Sequence, residues 1–221
     1  MTDTTTPARL DPALAQPGIL APVPPHGRYL WFSLADVSDL RRALQALAER
    51  VDGESEVVGL GAPLVRALGA TVPGLRDAPS YRSGLAQVPS TTSALWCWLR
   101  GEDRGELLHR SRKLAAAVAP GLRLEQALDG FVFRDSRDLT GFVDGTENPK
   151  DDKAFAAAIA QGQGEGLDGG SYVAVMQWLH DFERFEKMTA DDQDVSIGRH
   201  MANDAEIADA PPSAHVKRTA Q

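Results

Sequence analysis

The chain has 221 residues, of which 43% are hydrophobic and 24% charged, and its 31 acidic and 23 basic side chains give a net charge of −8. This composition excludes a chain that is disordered throughout, and the length suits one large domain or two small ones. An acidic protein without a basic run lacks the electrostatic character of proteins that bind nucleic acid or anionic membranes. No run approaches the roughly 20 apolar residues of a membrane span. Because the N-terminal residues lack the basic and apolar regions of a signal peptide, we expect a cytoplasmic protein.

The cysteine and histidine content narrows the possible metal chemistry. The one cysteine, Cys97, excludes an internal disulfide and a cysteine-based zinc or iron–sulfur site. Its apolar and aromatic neighbours in residues 94–99 indicate a buried thiol rather than a reactive one. The five histidines show no paired metal-ligand spacing, and the sequence has no nucleophile-elbow, phosphate-loop or dinucleotide-binding motif. A zinc hydrolase is therefore disfavoured.

The first half of the chain alternates between strands and helices. Residues 1–27, rich in Thr and Pro, indicate a mostly irregular arm, whose Gly18-Ile19-Leu20 patch is expected to dock on another surface. The hydrophobic periodicity then predicts, in order, strand 28–34, helix 36–50, strand 56–60, helix 63–68, a Pro/Gly loop through residue 84, strand 93–99, helix 102–119 and strand 122–134. Over residues 28–135 this β-α-β-β-α-β order is that of the ferredoxin-like fold, an α+β fold with helices on one face of an antiparallel sheet.

The second half begins the same pattern again and does not complete it. The predicted elements are, in order, a polar loop at 135–150, an alanine-rich helix at 153–161, a flexible glycine-rich link, a strand at 171–179, and helices at 181–188 and 190–197, the last ended by Gly198. Residues 136–170 are therefore predicted to be a linker. Because a lone strand cannot close a core, residues 171–221 are predicted to be the start of a second ferredoxin-like unit that is truncated here. The four tryptophans lie in predicted strands and are expected in the core: Trp31, Trp96, Trp98 and Trp178.

Three motifs in chain order carry the functional signal. The first is Gly141-Phe142-Val143-Asp144-Gly145-Thr146-Glu147-Asn148-Pro149, which taken alone reads as a loop with a turn at Asp144-Gly145. The second runs from Gly169 to His180 and on to Ile197-Gly198-Arg199, and the third is Ser213-Ala214-His215-Val216-Lys217-Arg218. Together they resemble the signature of the dye-decolourising peroxidases, a haem enzyme family built from two ferredoxin-like units. The resemblance extends from about residue 28 to the end of the chain.

The resemblance assigns roles to individual residues. It makes His215 the proximal ligand to the iron of haem b, with one haem per chain, and a neutral imidazole suits that role. It makes Asp144 the distal catalytic carboxylate, which would move a proton between the two oxygens of hydrogen peroxide. Arg199 would pair with a haem propionate, since arginine binds carboxylates in a bidentate manner; the alternative is that Arg199 is a surface arginine without a ligand. The remaining implied cofactor contacts are Gly141, Phe142, Val143, Gly145 and Thr146.

The implied activity is that of a haem peroxidase. Such an enzyme reduces hydrogen peroxide and oxidises organic donors, such as dyes or porphyrin-type compounds, in one-electron steps, and family members are usually homo-oligomers. The family also has a distal arginine some way after the proximal histidine, and this chain has six residues beyond His215. The absence of that arginine from the chain leaves open a haem- or porphyrin-binding protein with little turnover. A non-haem ferredoxin-like dimer, in which Asp144 and His215 are structural, is the second alternative.

Overall fold

The structure is a computed structural model that describes residues 12–84 and 86–219. Its strands are β1 (His26–Leu34), β2 (Glu56–Leu60), β3 (Tyr81–Ser83), β4 (Ala86–Val88), β5 (Leu95–Gly101) and β6 (Leu122–Phe131). Its α-helices are α1 (Leu40–Ala48), α2 (Ala62–Ala67), α3 (Arg104–Val118), α4 (Asp151–Ala158), α5 (Phe182–Glu186), α6 (Ala190–Ile197) and α7 (His215–Thr219). Single 3₁₀ turns span Pro12–Leu14, Pro17–Ile19 and Val37–Asp39.

These elements form two compact units. The first contains the described residues up to Phe131 together with Pro149–Val173, and the second contains Val132–Asn148 and the described residues from Ala174 onward. The segment predicted as a linker, residues 136–170, is therefore divided between the two units at residue 148.

The first unit is built on a four-stranded antiparallel sheet in the order β2-β5-β1-β6. The first and third strands of the β-α-β-β-α-β pattern, β1 and β5, occupy the centre, which is the ferredoxin-like arrangement. Leu30 faces Cys97 across the central pair. The predicted α+β, ferredoxin-like fold of this unit is confirmed. The hairpin β3–β4 lies where the sequence predicted only a Pro/Gly loop.

One face of the sheet carries the hydrophobic core. Strand residues at alternate positions point inwards, as the two-residue repeat of a strand requires, and α1 and α3 cover them. Helix α3 begins at Asp103, whose side chain accepts a hydrogen bond from the Glu106 N–H at 2.8 Å. Cys97 is fully buried in this core, and burial raises the pKa of its thiol, as expected for an inert cysteine. The fully buried core side chains include Leu30, Phe32, Leu95, Cys97, Leu99, Leu107 and Val118.

The other face of the sheet carries an aromatic cluster of Tyr29, Trp31, Trp96 and Trp98. The Tyr29 ring lies 6.1 Å from both Trp96 and Trp98, with an interplanar angle of 18° in each case. These side chains are half-buried, so the prediction that the strand tryptophans lie in the core was wrong. The physical reason is that successive residues of a strand face opposite sides of the sheet, and among the described residues helices α1 and α3 cover the side that does not carry the tryptophans. Burial raises the pKa of the Tyr29 hydroxyl, against the lowering effect of the Arg100 charge.

The described part of the N-terminal arm docks on the first unit. Of the patch at 18–20 that was predicted to dock, Gly18 is buried and its N–H donates to the Gly53 carbonyl at 2.8 Å, whereas the Leu20 side chain is exposed. The Gln16 side chain makes two hydrogen bonds of 2.8 Å with the main chain of Val58 in β2, donating to its carbonyl and accepting from its N–H. Gln16 thus occupies the place of a neighbouring strand on the edge of the sheet.

The second unit departs from the prediction. No described residue from 132 onward belongs to a strand, so the strand predicted at 171–179 was wrong. A strand exists only when its backbone groups pair with a neighbour, and this segment forms no such ladder in the described structure. Its large apolar side chains are exposed, including Trp178 at 67%. Helices α5 and α6 are at the predicted positions, whereas α7 was not predicted.

Candidate functional site

The signature residues fold into a compact loop, residues 136–148, which we call the motif loop. The Asp138 N–H donates to the Phe142 carbonyl at 2.9 Å, and the Gly141 N–H donates to the Asp138 carbonyl at 3.1 Å. Gly141 and Gly145 have φ angles of +98° and +75°, which strain any other residue. A Cβ at Gly141 would also lie 3.2 Å from the Sδ atom of Met201. The two glycines are therefore required by the turns of the loop itself.

Asp144 lies between these two turns. Its N–H donates to the Ser136 carbonyl at 2.9 Å, which fixes the main chain. Its side chain is exposed and has no hydrogen-bond or ion-pair partner among the described residues. The structure thus presents the Asp144 carboxylate on a fixed backbone with its oxygens free.

His215 is the first residue of α7 and is exposed. The residue before it, Ala214, is fully buried and donates its N–H to the Pro211 carbonyl at 2.8 Å. Neither ring nitrogen of His215 has a partner within residues 12–84 and 86–219. The imidazole is therefore free to act as a ligand, while its backbone is anchored by a buried neighbour.

Gly198 brings the third motif against the second. It ends α6 in the left-handed conformation, with φ +91°, as predicted, and its N–H donates to the Asp194 carbonyl at 2.7 Å. A Cβ at this position would overlap Cγ2 of Val216 and lie 3.3 Å from Cβ of Ala214. The chain on either side of His215 therefore packs directly on the glycine of the Ile-Gly-Arg motif.

Residues 199–204, which we call the arginine turn, connect this region to the motif loop. Arg199 is buried and donates through Nη2 to Oε1 of Glu147 at 2.6 Å and through Nη1 to the Asp204 carbonyl at 2.8 Å. Thr146 donates its hydroxyl to Oδ2 of Asp204 at 2.6 Å. Arg137 donates through Nη1 to the carbonyls of Gly141 and Met201, at 2.7 and 2.9 Å. Five side chains thus link the two segments, namely those of Arg137, Thr146, Glu147, Arg199 and Asp204.

The other residues implied as cofactor contacts also have partners within the protein. Phe142 is buried and lies edge-on to Phe185, with ring centroids 6.4 Å apart. Val143 is half-buried and bridges to Arg137 through the backbone. The contacts of Gly141, Phe142, Val143, Gly145, Thr146 and Arg199 with a cofactor stay predictions.

The histidine–aspartate pair formed by His200 in the arginine turn and Asp194 in α6 was not predicted from the sequence. Nδ1 of His200 lies 2.8 Å from Oδ2 of Asp194, and the Met201 N–H donates to Oδ1 at 3.0 Å. Burial by itself raises the pKa of the Asp194 carboxyl, but these hydrogen bonds and the charge of His200 outweigh it, and the pKa is lowered. The six-residue separation gives no sequence signal, because it is the turn after Gly198 that brings the two side chains together.

Comparison with known proteins agrees with the three motifs. Residues 135–221 match the family model described as Dyp-type peroxidase, C-terminal. A dye-decolorizing peroxidase of Brevibacterium linens is 31% identical over 187 residues, which cover 83% of this chain and 51% of the relative. One from Rhodococcus erythropolis is 27% identical over 224 residues, which cover 94% of this chain and 65% of the relative. The chain belongs to the dye-decolourising peroxidase family.

Solved structures of this family share the fold. DyPB from Rhodococcus jostii RHA1 superposes with a TM-score of 0.83 at 28% identity, covering 92% of this chain and 71% of that one. A variant of the same protein was solved in complex with heme and superposes with a TM-score of 0.78 at 27% identity, covering 92% of this chain and 72% of that one.

This family member spans about half to two thirds of the length of the curated relatives that it matches. Across the described residues, none of the helices combines the length and the apolar character that crossing a bilayer demands.

Proposed function

We propose that this chain carries the haem ligand and the proton-transfer residue of a haem-dependent peroxidase. The enzyme would reduce hydrogen peroxide and oxidise organic donors, such as dyes or porphyrin-type compounds, by one-electron steps. The observation that carries the proposal is that Asp144 and His215 both lie in the second unit with free, exposed side chains on anchored backbone.

The donor chemistry of the second unit fits a haem. One neutral imidazole is a standard protein ligand of haem iron, so a single histidine would be enough to hold the group. His215 can serve without giving up a hydrogen bond to any described residue. The same unit exposes Met176, Trp178 and Leu179, which are 62%, 67% and 91% exposed and offer apolar surface of the kind that packs on a porphyrin. Haem bound at His215 would supply the iron redox chemistry.

The Asp144 carboxylate would act as a proton carrier. One of its oxygens accepts the proton from one oxygen of hydrogen peroxide and returns it to the other oxygen before the O–O bond breaks. An acceptor of this kind must be ionised and must have free lone pairs, and the exposed carboxylate meets the second condition. The hydrogen bond from the Asp144 N–H to Ser136 keeps the carboxylate at the tip of the motif loop.

The test is a haem titration of the whole chain, followed by absorbance in the Soret region, with peroxidase turnover measured at haem saturation. His215→Ala should weaken haem binding by about 100-fold or more, since a lost outer-shell partner alone costs up to that much in metal affinity. Asp144→Asn should bind haem normally and lose about 10²–10⁴ in turnover, the range for a general acid–base group. His109→Ala, a change at an exposed histidine of α3, is the matched control.

Three results would contradict the proposal. If the wild-type chain gives no Soret band with added haem, the haem assignment fails. If His215→Ala binds haem as the His109→Ala control does, His215 is not the ligand. If the wild-type chain binds haem and Asp144→Asn turns over peroxide at the wild-type rate, Asp144 has no catalytic role and the haem-binding alternative is favoured. The homo-oligomeric state and the cytoplasmic location stay predictions.

A further inference from the structure

Arg199 is buried, and its side chain donates hydrogen bonds to two acceptors in the protein. Its Nη2 reaches Glu147 in the motif loop and its Nη1 reaches the carbonyl of Asp204, so both ends of the guanidinium are occupied. A guanidinium held by two acceptors is a fixed fork rather than a mobile charge. The arginine turn is therefore tied to the motif loop only three residues beyond Asp144.

Asp204, the second acceptor of Arg199, has an unusual backbone conformation. Asp204 has φ +59°, in the left-handed region, which a residue with a side chain adopts only when its surroundings hold it there. Its carbonyl accepts from Arg199 and its carboxylate accepts from the Thr146 hydroxyl. Asp204 thus connects the arginine turn to the residue next but one after Asp144, in parallel with the link from Arg199 to Glu147.

Arg137 makes an equivalent connection on the other side of Asp144. Its Nη1 donates to the carbonyl of Gly141 in the motif loop and to the carbonyl of Met201 in the arginine turn. The motif loop is therefore fixed to the same turn at residue 141, before Asp144, and at residues 146 and 147, after it. The Asp144 carboxylate has no such link of its own among the described residues.

We propose that Arg199 is a positioning residue for Asp144, which it holds in place through Glu147 and Asp204. This inference rests on the proposed function, in which Asp144 transfers the peroxide proton, and adds a role that differs from a contact between Arg199 and a haem propionate. The physical reason is that proton transfer depends steeply on placement, and an exposed loop carboxylate is well placed only if the loop is fixed. Arg199 touches neither reactant in this role.

Two variants separate the positioning role from a propionate contact. Arg199→Gln removes the charged guanidinium with its two-pronged contact, and Glu147→Gln weakens the same link from the other side at a side chain that is 83% exposed. Because Glu147 is exposed, its variant should fold normally even if Arg199→Gln does not. Arg123→Gln is the matched control, because Arg123 pairs with Glu125 at 2.8 Å on the surface of the first unit.

The first measurement is hydrogen exchange by mass spectrometry on the whole chain, which needs no haem. The amides of Gly141, Asp144 and Asn148 all donate to carbonyls within the motif loop. In both test variants these amides should exchange about five- to tenfold faster, the change expected for the loss of one typical hydrogen bond. Exchange in the first unit should stay unchanged, and Arg123→Gln should leave the motif loop as in the wild type.

The second measurement uses the haem-loaded chain. If Arg199 positions Asp144, both test variants should lower the second-order rate with peroxide by about tenfold, leave haem affinity within about twofold and leave KM for the organic donor unchanged. Arg199→Lys should restore only part of the rate, because one ammonium group cannot reproduce the two-pronged contact. If instead Arg199→Gln weakens haem binding and Glu147→Gln does not, the propionate contact is correct and the positioning role is overturned.

The two measurements also distinguish failure of this inference from failure of the proposed function. Unchanged exchange in the motif loop of both variants overturns the positioning role, whatever the chain does with peroxide. A wild-type chain that neither binds haem nor turns over peroxide overturns the proposed function, and faster exchange in the variants would then still show that Arg199 fixes the loop.

Discussion

Replacing Gly198 with alanine tests whether the close packing around His215 is as the structure shows it. The new Cβ would stand in the left-handed conformation, which costs an L-residue about 1–2 kcal/mol. It would also overlap Cγ2 of Val216 and press on Ala214, and overpacking of this kind costs about 1–3 kcal/mol more. We therefore expect Gly198→Ala to destabilise the region around His215 by about 2–5 kcal/mol in total.

Gly69 provides the matched control. It has a φ of +73° and no atom within 4 Å of the position that a Cβ would take, so Gly69→Ala carries the backbone cost without the overlap. A second variant, Gly198→Ala combined with Val216→Ala, removes the overlapping methyl group and should recover the steric part of the loss. The difference in stability between Gly198→Ala and the double variant thus measures the packing of Gly198 on Val216, the residue that follows His215.

Hydrogen exchange resolved by peptide is the appropriate assay, since it reports the opening free energy of residues 190–219 separately from that of the first unit. A haem titration on the same samples should show weaker binding for Gly198→Ala and partial recovery in the double variant. The close packing of Gly198 on the His215 segment is contradicted if Gly198→Ala lowers stability no more than Gly69→Ala does. It is also contradicted if adding Val216→Ala restores none of the lost stability.

Three further perturbations test the fold and its electrostatics. Gln16→Leu removes both hydrogen bonds to Val58 at the sheet edge and should cost about 1–3 kcal/mol in urea unfolding. Phe32→Ala, at a core side chain that is 1% exposed, should cost about 3–5 kcal/mol in the same assay. The pKa of Asp194 is lowered in the folded chain, so its contribution to stability is complete above the ordinary carboxyl pKa and is lost as the pH falls through the lowered value. The protection factor of the Met201 amide, which corrects for the intrinsic pH dependence of exchange, should therefore fall in that acid window, and Asp194→Asn should remove this pH-dependent loss of protection.

Each of these has an outcome that would count against it. An unchanged urea midpoint in Gln16→Leu would mean that the arm does not cover the sheet edge in solution. A loss below about 1 kcal/mol in Phe32→Ala would place that ring outside the packed core. If Asp194→Asn shows the same acid dependence as the wild type, another group controls the arginine turn.

The first unit could be predicted closely because its signals are local. Apolar residues at Leu40, Ala43 and Leu47 mark one face of α1, and the alternation from Leu30 to Phe32 marks the inner face of β1. The order of elements then leaves few ways to build an antiparallel sheet with helices on one face. Which sheet face is covered could not be predicted from the tryptophans, since large aromatic side chains suit either face of a strand.

The second unit could be predicted only in part. Helix α6 and its glycine end follow from the cap residue Thr189 and from Gly198, which are local signals. The segment 171–179 has the composition of a strand, but composition cannot supply the neighbouring strand on which the ladder depends. To predict a strand is therefore also to predict the neighbouring strand with which it forms hydrogen bonds.

The candidate site, too, was predicted from the sequence only in part. The assignment of Asp144 and His215 as the proposed chemical groups came from the order of residues alone, because it rests on the resemblance of their motifs to those of the dye-decolourising peroxidases. The link from Arg199 to Glu147, which are 52 residues apart, came only from the tertiary structure. A side chain's partner across such a distance is decided by how loops fold onto one another, and this sequence shows no local pattern for it. The amino-acid order therefore determined which groups are candidates for the chemistry, and folding decided which distant residues contact the loop that carries Asp144.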